Sequence, residues 1–237
     1  VIAPDQRGYN LSDKPKAVSA YRIGELARDV VGLMDTLGYE RVYLVGHDWG
    51  AAVAWWVATL FPDRLHKLVI LNVPYPTLMF EAFRSGNLRQ MLKSWYIFFF
   101  QIPHLPEALL RPDGWRGLEQ AMRRSGRQDS LSDDDMAQYK QAWSQPGAVT
   151  AMINWYRAMA RSATPQTGER IERMPARITT PTLLLWGEQD IALEKTLAQQ
   201  SIERCDSGRL VFFPNATHWV QHDEAAEVSR LIAEFLV

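Results

Sequence analysis

Short apolar runs that alternate with helical patterns constrain this chain more than any other feature. Val42-Tyr43-Leu44-Val45, Leu68-Val69-Ile70-Leu71 and Thr182-Leu183-Leu184-Leu185 are too short for helices, and Arg209–Phe213 supplies another apolar stretch of strand length. Between the first two, Ala51–Phe61 is Ala-rich and closed by Pro62, which reads as a helix. Upstream, Ile23, Leu26, Val30, Leu33 and Leu37 recur at helical spacing with Gly38 as the stop, and Val1-Ile2-Ala3 reads as a further short strand. Glu224–Phe235 reads as a closing amphipathic helix. Such β-α-β alternation predicts a mostly parallel sheet with helices on both faces, an α/β fold.

From Pro74 to Arg177 the pattern changes: no strand is evident, and the stretch is rich in aromatics and methionine and helical in period. Residues 1–73 and 178–237 are therefore assigned to the core, and 74–177 to an inserted helical cap. A length of 237 residues fits one domain carrying such an insertion.

Composition narrows the partners. A net charge of −1 gives no reason to expect nucleic acid or an anionic membrane. The single cysteine, Cys205, excludes an internal disulfide, and no Cys/His cluster has metal-ligand spacing, so neither metal nor other cofactor is expected. No apolar stretch approaches membrane-spanning length, the aromatic run Trp95–Phe100 included. A cytoplasmic location is the expectation. The chain starts at Val1 within a strand pattern, so a preceding segment is expected, and a signal peptide within it is left open.

Gly46-His47-Asp48-Trp49-Gly50 lies directly after one predicted strand and before one predicted helix. That is the G-x-S-x-G nucleophile elbow with aspartate in the serine position. Both glycines are expected to be required by close backbone approach. The turn lifts Asp48 to a helix N-terminus, where the Trp49 backbone N–H can stabilise an oxyanion. Two more groups follow in the order this kind of elbow uses. Asp190 stands past the strand ending in Trp186-Gly187, with Glu188 as a rival, and His218 stands past the strand ending in Phe213. A carboxylate attacking an acyl carbon would form an anhydride; attacking saturated carbon it forms an alkyl-enzyme ester. His218 would then activate water against that ester, with Asp190 holding the imidazole.

The chain resembles the α/β-hydrolase superfamily, and within it the epoxide hydrolase and haloalkane dehalogenase branch. The resemblance rests on Asp5-Gln6-Arg7-Gly8-Tyr9, the Gly46–Gly50 elbow, Asn154-Trp155-Tyr156-Arg157, Trp186–Asp190 and Thr217-His218-Trp219. It implies an α/β-hydrolase fold with a cap, and a small apolar epoxide and water as reactants. It also implies two cap tyrosines that assist ring opening: Tyr156, in the Asn-aromatic-Tyr-Arg stretch, and Tyr96, five residues before Gln101. The family's extra N-terminal strands and His-Gly-x-Pro loop have no counterpart in these residues. Tyr75 and Tyr139 are unassigned competitors. Haloalkane dehalogenation, with the Trp49 indole as halide donor, is the alternative enzyme reading, and a noncatalytic or truncated protein of the same fold is another. His66 and His104 read as loop residues, His222 as a helix start, and Asp133-Asp134-Asp135 after Ser132 as a helix N-terminus.

Overall fold

The computed structural model describes residues 1–162 and 177–237. Its centre is a four-stranded sheet of β1 (Val42–His47), β2 (Leu65–Leu71), β3 (Thr182–Gly187) and β4 (Gly208–Phe213), in the spatial order β1-β2-β3-β4. Every pairing is parallel, so each strand is reached by a crossover connection. Strand periodicity sends alternate residues to opposite faces. Leu68, Ile70 and Leu184 meet α1 (Ile23–Thr36) and α2 (Trp49–Leu60), while Val69, Leu71, Leu183 and Leu185 meet α12 (Ala225–Leu236). All seven are fully or almost fully buried, and each contributes roughly 2 kcal/mol by leaving water. α10 (Thr196–Ile202) and the one-turn α11 (Val220–Asp223) complete the core.

Two expectations differ from the structure. Val1-Ile2-Ala3 is exposed and forms no strand, because no strand among the described residues lies beside it to take up its backbone hydrogen bonds. Among the described residues β1 is therefore an edge, paired with β2 alone. Its Tyr43 and Val45, in register with Lys67 and Val69, remain 49% and 45% exposed, where a central strand would bury them. His66 is not in a loop: it is the second residue of β2, exposed beside the Tyr43 ring at 5.2 Å. His104 does lie in a connection, as the left-handed N-cap of α6, and His222 sits within α11.

Between β2 and β3 the described residues form seven helices and no strand: α3 (Pro76–Arg84), α4 (Leu88–Lys93), α5 (Trp95–Phe99), α6 (Leu105–Leu110), α7 (Pro112–Ser125), α8 (Asp133–Trp143) and α9 (Ala148–Ser162). Residues 163–176 of this interval lie outside the described residues. α8 starts from a capping box in which Ser132 Oγ accepts from the Asp135 N–H and the Asp135 carboxylate accepts from the Ser132 N–H, worth about 1 kcal/mol. α9 is fastened at two points. The Trp155 indole N–H donates to the Arg7 carbonyl at 2.9 Å. Arg157 donates to the Phe100 and Ile102 carbonyls and to both oxygens of Glu107. No helix among the described residues is long and apolar enough to cross a membrane.

Candidate active site

Asp48 is the hinge between β1 and α2, with φ 49° and ψ −126°. A non-glycine residue held there stores roughly 1–3 kcal/mol, and surrounding contacts keep it in place. Gly46 is one of them: a Cβ at Gly46 would come within 2.5 Å of the Gly50 carbonyl oxygen and 2.7 Å of the Ala51 nitrogen. Gly50 does not share this constraint. A Cβ there would meet only Gln6 Nε2 at 3.5 Å, ordinary contact, so the expectation that both glycines are sterically required holds for Gly46 alone.

The loops after β3 and β4 bring Asp190 and His218 to the same end of the sheet. His218 Nδ1 lies 2.8 Å from Asp190 Oδ2, and Nε2 lies 3.5 Å from Asp48 Oδ1. The Asp190 side chain has no exposure and takes four donors: Ala192 N–H and Leu193 N–H on one oxygen, Asn72 Nδ2 and His218 Nδ1 on the other. Because the carboxylate only accepts, Nδ1 carries the proton of that bond. The Asp48 side chain keeps 50% of its accessibility and faces a cavity of about 120 Å³.

Electrostatics follow from this layout. Burial alone would lower the His218 pKa, but Asp190 and then Asp48 outweigh it and push it up to about 10. Burial works against both carboxylates; nevertheless His218 holds each below the ordinary aspartate value, aided at Asp48 by His47 and the Trp49 N–H and at Asp190 by Asn72. With Asp48 and Asp190 ionised, the imidazole is a cation at neutral pH.

Tyr96 and Tyr156 line the same cavity as Asp48, on the side formed by α5 and α9. Their rings meet edge to face at 5.8 Å, and Tyr156 meets Trp49 at 4.9 Å. Burial, and then the negative charge of Asp48, push both phenols up, so both remain protonated. Gln101 donates to the Ile97 and Tyr156 carbonyls, tying the two helices together. The remaining wall is apolar, including Trp56, Met79, Phe80 and Leu193. Among the described residues, no group of His, Cys, Asp or Glu is arranged to hold a metal ion.

The rivals sit elsewhere. Glu188 pairs with Lys195 at 3.1 Å, Tyr75 is buried against Trp55, and Tyr139 packs on Trp143. Three further residues were given no role by the sequence, although His47 and Tyr9 lie within its motifs. Asn72, at φ 49°, bonds the Gly187 backbone in both directions and donates to Asp190. His47 accepts from Gln221 at Nδ1 and donates from Nε2 to the His218 carbonyl; burial drops its pKa to about 4, so it is neutral. Tyr9 is a third phenol pushed up by burial and by Asp48.

Residues 1–225 match the model of a family described as alpha/beta hydrolase fold. The AB hydrolase superfamily protein YfhM of Bacillus subtilis is 42% identical across the whole chain, which spans 80% of that protein. Epoxide hydrolase 2 of Caenorhabditis elegans is 35% identical over 99% of the chain, which spans 65% of that protein's length. Epoxide hydrolase A of Mycobacterium tuberculosis is 32% identical over the full chain and 81% of its own length. A solved epoxide hydrolase from Bacillus megaterium, in complex with a diol product, superposes with a TM-score of 0.85 at 29% identity, covering 98% of this chain and 81% of that one. This chain belongs to the alpha/beta hydrolase fold family and is an enzyme of hydrolase type.

Proposed function

We propose that this chain opens small apolar epoxides to vicinal diols through an ester on Asp48, with the 74–177 interval serving as the cap that carries the proton donors. One observation carries the reading: two protonated phenols, Tyr96 and Tyr156, share an apolar cavity with a half-accessible carboxylate. Asp48 attacks a ring carbon, the C–O bond breaks, and the alkoxide takes a phenol proton. Esterification removes the charge of Asp48, one of the two carboxylates that hold the His218 proton. His218 then reprotonates the phenolate and becomes a neutral base. It takes a proton from water as the water oxygen attacks the Asp48 carboxyl carbon, and the Trp49 backbone N–H stands at the developing oxyanion. Collapse expels the diol oxygen, which takes the proton from His218, and the Asp48 carboxyl so formed passes its own proton to His218, restoring carboxylate and imidazolium. Epoxide plus water gives diol, and every enzyme group returns to its starting state.

Haloalkane dehalogenation uses the same nucleophile but asks the Trp49 indole to bind halide. Halide needs no proton, so that reading leaves the two phenols that line the cavity without a task. The test is pre-steady-state alkylation with matched epoxide and bromoalkane substrates. Changing Tyr96 and Tyr156 together to Phe is expected to slow epoxide opening by roughly 10²–10⁴. Bromide release by that variant, with no epoxide opening by the wild type, would overturn the reading.

A further inference from the structure

The acid loop after β3 is held from outside the core. Asp190 folds its own carboxylate back onto the Ala192 and Leu193 N–H groups, but the other polar groups of this segment turn towards α4. Gln90, completely buried, accepts from the Glu194 N–H through Oε1 at 3.0 Å and donates through Nε2 to the Ala192 carbonyl at 2.9 Å. Its amide thus pairs with the loop as a neighbouring strand would. Nε2 also donates to the buried Ser94 hydroxyl at 2.7 Å, so the side chain has little freedom to move. One turn on, Lys93 Nζ donates to the Asp190 carbonyl at 2.8 Å and to the Leu193 carbonyl at 3.4 Å, and lies 3.2 Å from the Glu194 carboxylate. Neither residue lines the substrate cavity. Three positions beyond Lys93, the next helix, α5, presents Tyr96 to that cavity.

We infer that Gln90 and Lys93 are positioning residues for the acid, acting through the loop backbone to aim Asp190 at His218. The inference rests on the Asp48-ester reading and makes a kinetic distinction within it. Ester formation uses Asp48 and the phenols, which the clamp does not touch. Ester hydrolysis uses an oriented, Asp190-supported imidazole, which it does. A loosened clamp therefore separates the two half-reactions, whereas a general loss of packing slows both.

The experiment is rapid-quench intact-mass measurement of ester formation and decay, with a terminal aryl epoxide as probe, across pH 6–10. Variants are Gln90→Leu, Gln90→Glu (which keeps the acceptor and loses the donor) and Lys93→Gln. In Gln90→Leu, decay is expected to slow roughly ten- to thirtyfold, the effect of losing its two hydrogen bonds to the loop, with formation within about twofold of wild type. Gln90→Glu should fall between the two, and the pH midpoint for decay should move in every variant that slows it. If Gln90→Leu does not fold, Lys93→Gln decides, with decay slowed several-fold and formation unchanged. Equal slowing of both steps, or unchanged decay in folded variants, overturns the inference alone. Absence of any ester in the wild type overturns the Asp48 reading and this inference with it.

Discussion

Asp48 and Asp190 are the same residue within reach of the same imidazole, and almost everything around them differs. Asp190 is fully enclosed, accepts four hydrogen bonds, and touches the Nδ1 side of His218 at 2.8 Å. Asp48 stands on a strained backbone, half accessible to a cavity, with the Nε2 side of the ring at 3.5 Å. A carboxylate whose lone pairs are all engaged holds geometry and charge but cannot attack. One with a free oxygen facing an apolar cavity can. On the proposed mechanism, it is the environment, not the side chain, that divides nucleophile from orienter.

The largest effect follows from removing the exposed member. Asp48→Ala is expected to lower turnover by about 10⁵ or more, because no other group can form the ester. Substantial residual turnover would show that the two carboxylates are interchangeable after all. Asp190→Asn should cost about 10⁴, as when a histidine loses its orienting carboxylate, but in the hydrolytic step. Burst kinetics should then show the ester accumulating, and a loss of ester formation instead would erase the distinction. A milder change, Asn72→Ala, removes one of the four bonds to Asp190 while leaving Asp48 untouched. Roughly tenfold slower ester decay is expected, about one hydrogen bond to a charged group.

The smallest effect is on stability, read as urea midpoints against pH. His218 has a folded pKa of about 10, above the 6.5 of an unfolded histidine. Its contribution is complete below pH 6.5 and is lost as pH rises towards 10, since the folded state keeps a proton that the unfolded state releases. His47, held neutral with a pKa of about 4, acts in the opposite direction: its contribution is present above 6.5 and fades as pH falls towards 4. Stability should peak near pH 6.5, and Asp190→Asn should flatten the alkaline side. An unchanged alkaline slope would mean that Asp190 does not hold the His218 proton.

What could be read from the sequence was local. The elbow is legible because a strand, two glycines and a helix adjoin one another, and Asp190 and His218 follow strand ends. The phenols were legible through resemblance, from Tyr156 before Arg157 and Tyr96 before Gln101. Asn72, His47 and Gln90 were not, since each acts on a partner about 100 positions away or more, and no periodicity encodes such a contact. Gly50 misled because an elbow motif does not say which glycine is crowded. Val1–Ala3 misled because an apolar triplet has strand character only when a neighbour pairs with it.

The long excursion between β2 and β3 also sets the order in which the molecule can assemble. The elbow and its flanking elements join residues close in sequence, so they can form early. Asn72 and Gly187, which join the two halves of the site, are 115 positions apart, and closing a loop of that length costs about 4 kcal/mol of chain entropy before any of its contacts form. Parallel pairings of this kind fold slowly. During synthesis Asp48 emerges well before Asp190 and His218, so a site of the proposed kind is complete only once β3 and β4 have docked.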